Sequence, residues 1–244
     1  MPAHPLLGFY AELGGTNPDL RQIDDLCRED RPYGQVTRIH FAPDQMMHGE
    51  GEGWTMHFVP FHGGGVLPDW LAEPKERPRV CVTLGTTVPH VAGVDSLGSV
   101  LAAAADVDAE FVLALGDDPD LDSLGTLPGN VRTVGWTPLG TMLTTCDGIV
   151  HHGGAGTTLA SAHAAVPQLA MPHGADNWIN AAMVERCGIG MSKEPEEVDK
   201  GTLEALVHDA ELRASTSRFA EFLQRQPGPD EFVRRLADLA GLRV

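Results

Sequence analysis

The stretch GIVHHGGAGTTLAS, residues 148–161, passes from an apolar run through a glycine-rich turn into an alanine-rich segment. A short apolar run bounded by glycines reads as a buried strand, and the residues from Ala155 or Gly156 onward read as a helix. In a parallel sheet, ligands bind beyond the carboxyl ends of the strands, where the chain turns into helices. Such a turn presents free N–H groups and the positive end of a helix, which together suit an anion. Gly153, Gly154 and Gly156 allow the backbone close to that anion without a Cβ in the way. Thr157 offers a hydroxyl and an N–H, and His152 offers a further hydrogen bond, charged or neutral. The spacing is neither that of a P-loop nor that of the dinucleotide G-x-G-x-x-G turn. The competing reading is a tight turn whose glycines serve geometry alone.

Around this stretch the pattern is regular. RVCVTLG (79–85), EFVLALG (110–116), VRTVGW, DGIVHH, PQLAMPH and IGMS read as strands. DSLGSVLAAAA, LGTMLTTC, AGTTLASAHAA and DNWINAAMVERCG read as the helices between them. Short apolar strands alternating with helices imply βαβ units, hence a Rossmann-like parallel sheet flanked by helices. The tail TLEALVHDAELRASTSRFAEFLQRQ reads as helical throughout. Pro227 and Pro229 then break it, and Asp230 reads as the N-cap of a last helix. Phe232, Leu236 and Leu239 form an apolar stripe on that helix and read as packing residues. Before residue 78 the chain is irregular: RQIDDLCRED reads as a short helix, TRIHFAP and TMHFVPF as short strands, with too little apolar pattern for a core of their own.

Composition narrows the partners. A formal net charge of −17 with 6% aromatic residues argues against nucleic acid and against an anionic membrane surface. The distant cysteines Cys27, Cys81, Cys146 and Cys187 read as reduced thiols, and the first residues lack the pattern of a signal peptide, so a cytoplasmic protein is expected. No apolar run is long enough for a membrane helix.

The segment VHHGGAGTTLASAHAAVPQLAMPHGADNWINA resembles the donor-binding signature of the family 1 glycosyltransferases, which have the two-domain GT-B fold. Within them it is most similar to actinobacterial enzymes that attach deoxysugars to antibiotic and macrolide aglycones. VLPDWL followed by RPRVCVTLGT resembles the linker and first donor-domain strand of that group, and VRTVGWTPLGTMLTTCDGIVHHGG and QPGPDEFVRRL match as well. The likeness runs from about residue 56 to the end.

The resemblance implies residues 1–70 as a remnant of an acceptor domain plus linker, and residues 71–244 as a nucleotide-sugar donor domain. It implies that His152, Gly153, Gly154, Gly156 and Thr157 hold a diphosphate, with Thr86 reaching it from the opposite side. Trp136 and Thr137 would border the base, and Asp176 and Asn177 the sugar hydroxyls. By position rather than by resemblance, His173 at the next strand end reads either as a further sugar contact or as a satisfied loop histidine. The implied donor is a TDP- or UDP-linked sugar and the acceptor a small natural product; no metal or other cofactor is implied. The general base belongs to the acceptor domain, and His4 is not assigned to it. The family's usual Asp-Gln pair is Asp176-Asn177 here, one methylene shorter, and Asp176 also reads as a helix N-cap.

Other clusters read as bland. His40, Asp44, His48, Glu50 and Glu52 fit no zinc spacing. Asp117, Asp118, Asp120 and Asp122 read as a solvated loop, and Ser161 with His163 lacks triad context. Rival functions are a non-catalytic nucleotide-sugar binding module, a truncated inactive fragment, and a sugar-nucleotide epimerase.

Overall fold

A computed structural model describes residues 39–46, 53–60, 68–89, 93–116 and 120–239. His4, Cys27, RQIDDLCRED, His48, Glu50, Glu52, Asp117 and Asp118 lie outside the described residues. The strands are β1 (Ile39–His40), β2 (Trp54–Thr55), β3 (Arg79–Thr83), β4 (Glu110–Ala114), β5 (Val131–Val134), β6 (Gly148–His151), β7 (Gln168–Ala170) and β8 (Gly190–Ser192). The helices are α1 (Asp69–Ala72), α2 (Gly98–Ala104), α3 (Leu139–Leu143), α4 (Ala155–His163), α5 (Ala175–Arg186), α6 (Lys200–His208), α7 (Ala210–Gln224) and α8 (Pro229–Leu239).

β3 to β8 form one parallel sheet in the order β5-β4-β3-β6-β7-β8, and β1 pairs with β2 separately. This is a Rossmann-like arrangement in which the strand order reverses between β3 and β6. β3 is buried along its whole length, as a central strand covered on both faces must be. Its alternation divides the core: Val80 and Val82 pack with Val100, Leu101, Leu203 and Leu206 on one face. Cys81 packs with Met142, Leu143, Ile149 and Ala160 on the other. Edge strand β5 keeps only Val131 and Val134 buried.

Arg79 is the one charge buried in β3, and it is paired. Its Nε donates to Glu110 at 2.8 Å, Nη1 donates to the Leu71 carbonyl, and its guanidinium lies over Trp70. Helix α1 is thereby tied to the start of the sheet. The described residues before it have no separate core. Met46 packs with Leu159, Ala162, Met183, Val184, Ile189 and Leu223 of the sheet domain, and Arg186 donates to the Gln45 carbonyl.

Several sequence expectations are corrected. The tail is helical but interrupted once: Asp209 takes an extended ψ and accepts from the amides of Glu211 and Leu212, ending α6 and capping α7. Asp230 is not the N-cap of α8, because Pro229 is its first residue; proline has no N–H to satisfy and its φ is already helical. Asp176 is not the N-cap of α5; Gly174 holds that position and Asp176 lies in the first turn. Of the expected stripe in α8 only Phe232 is buried, edge-on to Trp54, while Leu236 and Leu239 are exposed; Ala237 is the other buried residue of this helix. Cys81, Cys146 and Cys187 are free thiols, and burial pushes the Cys146 thiol up to about 11. No helix among the described residues is long and apolar enough to cross a membrane.

Candidate functional site

Thr83 of β3 lies opposite His151 of β6, so the loops after these two strands leave the sheet at the same level. Between them opens a cleft of about 1060 Å³ at the carboxyl ends of the strands. Pockets that bury drug-sized ligands span about 300–1,000 Å³, so the volume suits a ligand at least that large. One wall is the glycine-rich turn, with His152, Gly154, Ala155, Gly156 and Thr157. Thr86 and Thr87 face in from the loop after β3, and Trp136 and Thr137 from the loop after β5. Asp95, Asp120 and Ser123 are further polar residues of the lining. No Lys or Arg occurs among these described lining residues.

The turn leaves the first amides of α4 unpaired. Thr158 is the first residue whose amide bonds back, to the Gly154 carbonyl at 3.0 Å. The amides of Ala155, Gly156 and Thr157 precede it and have no acceptor among the described residues, and no side chain caps the helix. A Cβ added at Gly156 would meet nothing within 4 Å, so no protein atom demands glycine there. A Cβ at Gly154 or Gly85, in contrast, would run into the His152 ring. These two glycines make a slot that seats the imidazole at the cleft wall.

The surroundings of His152 disfavour its protonation. Burial lowers its pKa, His173 nearby lowers it further, and Asp176 pulls the other way. Its Nδ1 is buried without a hydrogen-bond partner. His151 points to the opposite side of the strand and is fully buried. Its Nε2 lies 3.0 Å from Gln168 Oε1, and its Nδ1 accepts from the Gly153 amide at 3.0 Å. Burial, then neighbouring His152, push its pKa down to about 3, opposed by the Gln168 contact.

Unfolded histidine titrates near 6.5. The folded state therefore binds fewer protons than the unfolded state between about pH 6.5 and 3, and stability falls as pH falls through that window, by at most about 1.4 kcal/mol per pH unit from this group. Urea unfolding at stepped pH is expected to show this loss in the wild type and a shallower one in His151→Asn. Equal slopes in the two proteins would contradict it.

The other expected site residues are not among those lining the cleft, although Gly153 lies in the turn between two that are. Gly153, at φ +85°, donates its N–H to His151 and accepts from Asn180 Nδ2 at 2.8 Å, leaving no free polar group for a ligand. Asp176 is exposed on the first turn of α5, and the Asn177 carbonyl packs against Gly153 where a Cβ would sit. His173 has Nδ1 on the Met171 carbonyl at 2.6 Å and Nε2 on Ser96 Oγ at 2.8 Å, so both ring nitrogens are taken. Thus the structure gathers His152, Gly154, Gly156, Thr157, Thr86, Trp136 and Thr137 around one cleft, and sets Gly153, Asp176, Asn177 and His173 outside its lining.

Sequence reasoning missed Gln168, Gly85 and Asn180. Gln168 carried a signal: it is the one polar residue of a strand otherwise apolar, where an unpaired amide would be costly. Among the described residues, no group of three or more His, Cys, Asp or Glu could hold a metal ion.

The family model for the erythromycin biosynthesis protein CIII-like C-terminal domain matches residues 98–239, and that for the N-terminal domain matches residues 8–85. The chain belongs to this family. Its fold and its relatives are those of the family 1 glycosyltransferases. Elloramycin glycosyltransferase ElmGT of Streptomyces olivaceus is 43% identical over 194 residues, covering 78% of this chain and 50% of that protein. The crystal structure of the glycosyltransferase SnogD from Streptomyces nogalater superposes with a TM-score of 0.77 at 39% identity, over 84% of this chain and 57% of that one. That of the glycosyltransferase VinC in complex with DTDP gives 0.74 at 30% identity, over 93% and 61%. The chain spans about half the length of the curated relatives it matches.

Proposed function

We propose that the chain is the donor-binding half of an inverting glycosyltransferase that takes a TDP-linked deoxysugar. The carrying observation is the set of three unpaired amides at the start of α4, opening beside His152 into the cleft at the strand switch point. TDP is preferred over UDP because VinC, a similar structure, was determined with DTDP. Residues 71–244 would form the donor domain and residues 1–70 an acceptor-domain remnant with its linker. The acceptor would be a small natural product, and the free thiols fit a cytoplasmic setting.

In the proposed reaction an acceptor hydroxyl oxygen attacks the anomeric carbon while that carbon's bond to the diphosphate breaks. The hydroxyl proton goes to a base on the acceptor domain, and negative charge grows on the leaving oxygens. The amides of Ala155, Gly156 and Thr157 with the His152 ring are fixed donors at that charge, so they favour the transition state over the ground state. They do this without a metal. Trp136, exposed and facing the cleft, supplies a flat surface for the base.

Titration calorimetry with TDP is the first test: a single saturable site, displaced by pyrophosphate, is expected. No heat with either TDP or UDP would contradict the reading. A turnover assay with a TDP-sugar then separates a transferase from a module that only binds.

The charge pattern makes a second expectation. The described cleft lining holds no Lys or Arg and the chain carries −17 overall, so screening relieves repulsion more than it weakens attraction. Raising salt from about 50 to about 500 mM should leave TDP affinity unchanged or slightly higher. A steep fall would place a cationic side chain on the phosphates.

A further inference from the structure

We propose that His151 is a positioning residue for the diphosphate site: held in one tautomer by Gln168, it captures the Gly153 amide and so sets the direction in which the turn faces. The inference rests on the reading that a diphosphate binds at the start of α4.

The tautomer follows from the partners alone. The Gly153 N–H donates to Nδ1, so Nδ1 carries no proton. A neutral imidazole then has its proton on Nε2, which donates to Gln168 Oε1 at 3.0 Å. Turning the Gln168 amide over would leave Nε2–H facing another donor, so the amide orientation is fixed as well. A protonated ring could not accept from Gly153 at all.

The consequence is directional. The Gly153 N–H lies in the peptide plane that follows His152, and the Gly153 carbonyl in the plane that precedes Gly154. His151 pins the first plane and Asn180 Nδ2 the second. In a trans peptide the N–H points opposite to the carbonyl, so the bond to Asn180 turns the Gly154 N–H away from α5. A glycine at φ +85° has wide conformational freedom and would not hold these planes unaided. The Gly153 groups are thus spent inside the protein so that the next residues, and the His152 ring, face the cleft.

The test compares two substitutions that each keep half of the arrangement. In His151→Asn, Oδ1 stands near the place of Nδ1 and can accept from Gly153. In His151→Gln, the side-chain amide stands near the place of Nε2 and can donate to Gln168, but nothing accepts from Gly153. Both variants lose the ring and should lose comparable stability in urea. TDP affinity of His151→Asn is expected within about threefold of wild type, and that of His151→Gln lower by about tenfold or more. Amide exchange of Gly153 should quicken in His151→Gln and not in His151→Asn. Wild-type affinity in His151→Gln, or equal losses in both variants, overturns the positioning role while the TDP site stands. Failure of the wild type to bind TDP removes the site itself, and this role with it. Should His151→Gln not fold, Gln168→Met carries the test by removing the tautomer clamp: weakened TDP binding by the folded variant, together with quickened amide exchange of Gly153, supports the role, and unchanged binding or unchanged exchange overturns it.

Discussion

His152→Ala is expected to weaken TDP binding by roughly 1.5–3 kcal/mol, about 10- to 150-fold, the range for a hydrogen bond to a charged group. The imidazole stands at the cleft wall next to the first turn of α4, seated between Gly85 and Gly154. Alanine removes the donor without touching the helix amides, so binding should weaken and not vanish. Fold stability should change little, because the ring is only half-buried and Nδ1 has no partner to lose. Calorimetry on the two proteins measures the effect directly; equal affinities would take His152 out of the site.

Gly154→Ala should be nearly as damaging, by a route that runs through the same ring. A Cβ at Gly154 collides with Nε2 of His152, and the ring is crowded at Gly85 as well, where there is no room even for an added Cβ. The imidazole must therefore leave its slot, and TDP affinity is expected to fall by about 10- to 100-fold, with a strain cost to stability of about 1–3 kcal/mol. The mechanism predicts strong non-additivity. Once His152 is alanine there is no ring to displace, so adding Gly154→Ala should cost little more. Additive losses in the double variant would mean that the new methyl meets the ligand and not the imidazole.

The parallel sheet was legible because its signal is redundant. Val80, Val82, Phe111, Leu113, Ile149 and Val150 make apolar runs long enough to read as strands, and each is followed by a helical segment. The glycine turn was legible too, because strand end, glycines and Thr157 fall in one unbroken stretch. Caps were not. Asp176 and Asp230 are each one or two residues inside the helix they were expected to cap, since a preceding glycine or proline takes the boundary. Asp209 ends one helix and starts another through its own side chain, which apolar periodicity does not record. Leu236 and Leu239 lie on a helix with strong one-sided patterning, but a pattern shows only that a face is apolar and not what covers it.

Within the site, the limit was pairing over distance. Adjacent His151 and His152 look alike in sequence, yet alternation along β6 sends one into the core and the other to the cleft. Which of them binds Gln168, seventeen positions away, emerges only from the register of β6 with β7. Gly153 looks equivalent to Gly154 and Gly156 in the stretch. Its neighbours His151 and Asn180 nevertheless claim both of its polar groups.

In the proposed complex a nucleoside diphosphate rests on the start of α4. A crystal structure of the protein with TDP tests it most directly. Both phosphates are expected against His152 and the amides of residues 155–157, with Thr86 on the far side and the thymine at Trp136. Phosphorus density elsewhere in the cleft, away from those amides, would contradict the account.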